Sequence, residues 1–166
     1  MKIYTFRFRQ NIPVGLDEAW AFFSSPFNLA RITPALGFSI TSNIEPDEIM
    51  YPGILISYTV RPFAGIKMSW LTEITHIREK EYFVDEQRFG PFSFWHHQHH
   101  FNEIEGGIAM EDILTYAIPY GFIGRIVNSL AVENKVLKIF KTREDKINEI
   151  FNDSAASATI KKPKNS

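Results

Sequence analysis

Hydrophobic and polar residues alternate along most of this chain, and the period changes once. In residues 3–12, Tyr4, Phe6, Phe8 and Ile12 fall on one face and Thr5, Arg7, Arg9 and Asn11 on the other. That is the period-two pattern of a half-buried strand. Pro13 and Gly15 end it. Asp17 is placed to cap a short helix over Glu18–Phe23, whose Trp20 and Phe23 lie three apart. Ser24-Ser25-Pro26 breaks this helix, and Pro26 starts a second one that runs through Ile32 and stops at Pro34. Alternation resumes at 38–45 (Phe38, Ile40, Ile44) and at 54–60 (Ile54, Ile56, Tyr58, Val60). Further strands are expected at about 67–78, 82–88, 93–104 and 108–117, separated by Glu79-Lys80, Gly90-Pro91 and the hairpin signal Gly106-Gly107.

From Phe122 the apolar positions spread out. Ile123, Ile126, Val127, Leu130, Leu137, Phe140, Ile147, Ile150 and Phe151 recur mostly at steps of three and four. This predicts one amphipathic helix of about thirty residues, long enough to cross the domain. Strands joined by short turns pair antiparallel, and a sheet with one apolar face needs a cover. Only this helix is large enough. The expected fold is therefore α+β: a curved antiparallel sheet of about seven strands wrapped around a long C-terminal helix, with two short helices after the first strand. One domain is expected over residues 1–152. Residues 153–166, Ser/Ala-rich and then basic at Lys161-Lys162-Pro163-Lys164, read as a disordered tail.

The 166 residues suffice to bury a core without staples. There is no cysteine, which removes disulfides and thiolate metal sites and suits a reducing cytoplasm. A net charge of −1 gives no basic field for nucleic acid. No apolar run reaches the length of a membrane span, and charges interrupt the N-terminus too often for a signal peptide. Aromatic residues make up 14% of the chain, 15 of them Phe. Rings in such number either fill a core or line a cavity for an apolar ligand.

Two stretches carry a resemblance beyond topology. One is Asp17-Glu18-Ala19-Trp20-Ala21-Phe22-Phe23 followed by Pro26-Phe27-Asn28-Leu29 and Thr33-Pro34. The other is Gly90-Pro91-Phe92 with Trp95, His97, His99 and Phe101, then Met110, Asp112, Tyr116 and Pro119-Tyr120-Gly121. With the element order, these make residues 1–151 resemble the START-like helix-grip superfamily (the SRPBCC class). That class includes polyketide cyclase/dehydrase-like proteins, lipid-transfer domains and the birch-pollen-allergen type, and this chain looks like one of its bacterial subgroups. The resemblance implies a cavity between sheet and long helix. It leaves the chemistry open, because this fold hosts both binding proteins and enzymes.

Side-chain parity selects candidates for that cavity. The more apolar register of each strand puts Trp70, Phe83, Trp95, Phe101, Met110, Leu114 and Tyr116 inward, together with Asp85, Gln87, His97, His99 and Asp112. Apolar walls with a few oriented polar groups describe a small-molecule site. His96-His97-Gln98-His99-His100 splits by alternation, so His97 and His99 share the inner face and His96 and His100 face solvent. The inner pair suits hydrogen bonding with Asp85, Gln87 or Asp112. It also suits acid–base work, with His97, His99 and Asp112 as catalytic candidates. In a further alternative, the two imidazoles and Asp112 or Asp85 hold Zn or Fe. Arg61 and Arg88 are candidates to receive a ligand carboxylate.

The expected function is binding or carriage of a hydrophobic small molecule such as a lipid, polyketide or quinone, with no cofactor and with room for a homodimer. The alternative is a cyclase or dehydratase acting in the same cavity. A third reading is an interaction module whose cavity is filled by phenylalanines.

Overall fold

The computed structural model describes residues 2–45, 48–61, 65–119 and 131–159, apart from the side chains of residues 35 and 153–159. Seven strands form one antiparallel sheet: β1 (Tyr4–Ile12), β2 (Ser39–Ile40), β3 (Leu55–Val60), β4 (Met68–Arg78), β5 (Tyr82–Phe89), β6 (Phe94–Ile104) and β7 (Gly107–Ala117). Their order across the sheet is β1-β7-β6-β5-β4-β3-β2. β3 to β7 thus form a meander, and β1 closes on β7. Between β1 and β2 lie α1 (Leu16–Phe23), α2 (Pro26–Ile32) and a 3₁₀ turn at Pro34–Leu36. The long helix α3 (Glu133–Thr159) follows the sheet.

The expected α+β architecture is present, and its departures from the sequence reading have local causes. α1 begins at Leu16 with Gly15 at its N-cap and no side-chain cap. Asp17 sits in the first turn instead and pairs with Lys80 at 2.8 Å. β2 is far shorter than 38–45, because the N–H groups of Thr41 and Ser42 both donate to the Ser57 carbonyl and the ladder stops there. In β4 the register skips between Ile74 and His76, so Ile77 rather than His76 continues the buried side. The helix runs to Thr159, past Asn152, where a tail was expected to begin. The expected helix start at Phe122 to Leu130 and the basic residues 161–164 lie outside the described residues.

The concave face of the sheet is apolar. Ile56, Tyr58, Val60, Trp70, Ile74, Phe83 and Phe101 are buried there, with Trp20 and Phe23 of α1 against them. A second cluster joins Leu114 and Tyr116 to Val132, Val136 and Phe140. α3 is tied to β1 by stacking of Phe140 on Phe8, with centroids 3.9 Å apart. Gln10 Nε2 adds hydrogen bonds to the Glu144 carbonyl at 3.0 Å and to Asn148 Oδ1 at 2.9 Å. α3 packs on β1 through these contacts, and space opens between α3, α2 and the strands β3 to β6.

Candidate functional site

That space is a partly open cavity of about 140 Å³. Phe22, Leu29 and Ile32 line it from the short helices, Ile56, Trp70 and Phe83 from the sheet, and Val136 and Phe140 from α3. Some of the rings wall this space, and others, such as Phe101 and Tyr116, fill the cores beside it. Polar groups gather at one end. Tyr58 and Thr72 hydrogen-bond each other at 2.6 Å, and Asp85, His97, His99 and Arg143 complete that end.

Strand register assembles the polar cluster. β5–β6 pairing sets Asp85 opposite His97, and β6–β7 pairing sets His99 opposite Asp112. The two imidazoles lie side by side, centroids 3.9 Å apart and tilted by 48°, between two carboxylates. On the cavity side, Asp85 Oδ2 lies 2.8 Å from His99 Nε2 and 3.3 Å from His97 Nδ1. On the far side, Asp112 Oδ1 lies 2.7 Å from His99 Nδ1 and 3.1 Å from His97 Nε2. Trp95 Nε1 donates to Asp85 Oδ1 at 3.2 Å. From α3, Arg143 Nη1 approaches Asp112 Oδ1 at 3.4 Å, and Nη2 donates to His99 Nδ1 at 3.4 Å.

All of this is out of water: His97 is 6%, His99 4%, Asp112 7% and Arg143 4% exposed. The contacts at Asp112 Oδ1 are close in distance but misaligned. Neither His97 Nε2 nor Asp112 Oδ1 has an aligned hydrogen-bond partner among the described residues, and Arg143 Nε and Trp70 Nε1 have none either. They are charge contacts, and their lone pairs and protons are not fully used.

Burial disfavours charge on every member, and the neighbours decide the outcome. At Asp85 burial is outweighed by His97 and His99, and the carboxyl is held well below the usual carboxylate range. At Asp112 burial is outweighed by Arg143 and then the two imidazoles, with the same result. At His97 burial favours the neutral ring, but Asp85 and Asp112 together raise its pKa above the ordinary value. At Tyr58 burial and the nearby charge of Asp85 push the phenol far up.

Of the residues selected by parity, Trp70, Phe83, Asp85, Trp95, His97 and His99 line the cavity. Gln87, Phe101, Met110, Asp112, Leu114 and Tyr116 do not. Gln87 braces the β5–β6 loop through the Phe92 carbonyl and N–H. Phe101 and Met110 pack in the main core, and Leu114 and Tyr116 in the second cluster. Asp112 stands behind the imidazoles. His96 and His100, expected in solvent, are half-buried on the outer face, bound to Glu86 at 2.8 Å and Gln98 at 2.9 Å. Arg88 is occupied by Glu73 at 2.6 Å and Glu86 at 3.0 Å, which removes it as a receptor for a ligand carboxylate. Arg61 is not among the residues lining the cavity. Sequence reasoning missed Arg143. Its signal was present: Phe140, Arg143 and Ile147 share one stripe of the helix, so a cation sits on the apolar face.

No family model and no curated protein matches the chain. Solved structures do. Protein Ms6760 from Mycobacterium smegmatis is similar over 93% of this chain and 98% of its own, at 14% identity and a TM-score of 0.66. Major latex-like protein 151 of Panax ginseng is similar over 90% and 97%, at 15% identity and a TM-score of 0.64. A protein from Thermus thermophilus, TTHA0849, is similar over 89% and 99%, at 15% identity and a TM-score of 0.62. The chain has the START-like helix-grip fold. At such identity the likeness is one of fold, and the site has to be read from this chain's own residues.

Proposed function

We propose that this chain binds a hydrophobic small molecule in the cavity between sheet and α3, with an acceptor group of the ligand at the polar end. The observation that carries the reading is the pairing of apolar walls with unspent donors. Trp70 Nε1 and Arg143 Nε are buried without a partner among the described residues, and both residues line the cavity. A buried donor left unpaired costs about 1–3 kcal/mol, so a ligand acceptor that draws either donor to the cavity is favoured. The apolar wall supplies the rest of the affinity, at roughly 25 cal/mol per Å² removed from water. No helix among the described residues is long and apolar enough to cross a membrane.

Titration with the apolar fluorophore anilinonaphthalene sulfonate tests this. Trp70 and Trp95 stand in the cavity wall, so saturable one-site binding with energy transfer from tryptophan is expected. Absence of any saturable binding to the folded protein would overturn the reading.

One observation favours a second reading, a cyclase or dehydratase. His99 and Asp85 are both on the cavity wall and hydrogen-bonded at 2.8 Å, a pair able to move a proton at a bound molecule. Asp112 lies off the wall and would act only through the imidazoles. Unchanged turnover of an identified substrate in His99→Ala and Asp85→Asn variants would exclude it.

A further inference from the structure

We propose that Asp85, His97 and His99 form the ligand set of a divalent first-row transition-metal ion, Zn²⁺ or Fe²⁺ in class, at the inner end of the cavity. The inference uses the same cavity but does not require a small-molecule ligand in it.

The geometry comes first. One nitrogen of each imidazole and one oxygen of Asp85 lie within 4.8 Å of one another. Metal–ligand bonds of about 2.0–2.2 Å place neighbouring ligand atoms roughly 2.8–3.6 Å apart in tetrahedral or octahedral sites. The separations from Asp85 Oδ2, 2.8 Å to His99 Nε2 and 3.3 Å to His97 Nδ1, both fall in that range. The scaffold is rigid: His97 and His99 are alternate residues of β6, and Asp85 is the cross-strand partner of His97 on β5. Two imidazoles and one carboxylate on one face, with the remaining positions open to a cavity, is a donor set for Zn²⁺ or Fe²⁺.

The second carboxylate gives an independent argument. A metal-bound histidine usually turns its other nitrogen to a carboxylate or carbonyl that fixes the ring. Here one oxygen, Asp112 Oδ1, faces the far nitrogens of both rings, at 3.1 Å from His97 Nε2 and 2.7 Å from His99 Nδ1. Asp112 does not line the cavity, whereas Asp85, His97 and His99 do. The structure thus separates a ligating carboxylate from a supporting one. His99 Nδ1 lies 2.7 Å from Asp112 Oδ1 and 3.4 Å from Arg143 Nη2. A cation at Nε2 requires the ring's proton on Nδ1, turned to Asp112 rather than met by Arg143.

Charge agrees. The cluster has two carboxylates and one fixed cation, Arg143, which lies against Asp112 rather than against Asp85. A buried negative charge needs a partner. At Asp85 that partner is either an imidazolium or a metal ion.

The test uses the full chain, purified without chelators or a histidine tag, stripped of metal and dialysed against Co²⁺ and, separately, Zn²⁺. Bound metal is counted by plasma mass spectrometry. One tightly held equivalent is expected, with visible Co²⁺ bands and a rise in melting temperature with Zn²⁺ that Mg²⁺ does not produce. His97→Gln and Asp85→Asn are each expected to abolish the bands. His96→Gln, on the outer face, is expected to keep them. Less than half an equivalent retained, or no rise in melting temperature, would overturn the proposal in the wild-type protein alone, whatever the variants do. So would retention of the bands in the His97 variant, or their loss in the His96 variant, which would place the ion at surface imidazoles.

Discussion

Asp112 of β7 and Arg143 of α3 meet at 3.4 Å inside the apolar interior, and neither side chain reaches appreciable solvent. This contact joins the far side of the histidine pair to the long helix. Hydrophobic packing would hold α3 on the sheet over a range of angles. A buried charge pair favours one position, the one in which Asp112 is answered, and so sets the depth of the cavity's polar end.

Arg143→Met is therefore expected to destabilise the fold by about 3–5 kcal/mol, because it leaves the Asp112 carboxylate buried without its cation. Asp112→Leu is expected to be costly for the reciprocal reason. The double variant should cost clearly less than the two singles combined, since a buried pair replaced by apolar residues loses little. Urea unfolding of the four proteins measures this. Additive losses would mean that the pair is uncoupled.

Much of this arrangement was readable from residue order. Alternation placed Trp70, Phe83, His97 and His99 on the inner face because the period of a strand is two and these segments carry no break between the relevant residues. Where the ladder is interrupted, alternation misleads: the skipped residue before His76 and the doubled bond to the Ser57 carbonyl leave no mark in composition. Parity also reports a face, not a depth. Asp85 and Asp112 share the inner face, yet one lines the cavity and the other stands behind the imidazoles. Arg143 was legible only as an anomaly, a cation among the apolar positions of a helix, and its partner sits on a distant strand.

Leu29 of α2 is half-buried on the cavity wall, so a larger side chain there can fill the space without entering the closed core. Leu29→Trp is expected to weaken binding of the apolar fluorophore at least about fivefold, as overpacking of a site costs about 1–3 kcal/mol. Its unfolding midpoint should move little. Equal affinity in the two proteins would mean that the fluorophore binds elsewhere.

The β6–β7 hairpin depends on Gly107. Its φ is +156°, and a Cβ placed there would run into the carbonyl oxygen of Ile12, the last residue of β1. Gly107→Ala is expected to cost more than about 1 kcal/mol, because the native conformation does not suit alanine. Gly53 also has a positive φ but nothing within reach of an added Cβ, so Gly53→Ala should cost less. Thermal unfolding compares the two, and equal losses would show that the close approach to Ile12 is not the cause.

Tyr58 gives the protein an alkaline limit. Burial, and after it the charge of Asp85, raise the phenol's pKa far above the ordinary value, while its hydrogen bond with Thr72 acts the other way and does not prevent the rise. In the unfolded chain the phenol ionises near about 10. Below that pH both states keep the proton, and Tyr58 contributes no pH dependence to stability. Above it the unfolded state gives up the proton while the folded state retains it, so the unfolded state binds fewer protons and stability falls as pH rises. Folding stability is therefore expected to drop above about pH 10, and tyrosinate absorbance should show a component, absent from Tyr58→Phe, that ionises only as the protein unfolds. Tyr58→Phe should flatten that alkaline slope. It should also cost about 1–3 kcal/mol at neutral pH, because the buried Thr72 hydroxyl loses its partner. An alkaline slope unchanged in the variant would show that another group sets the limit.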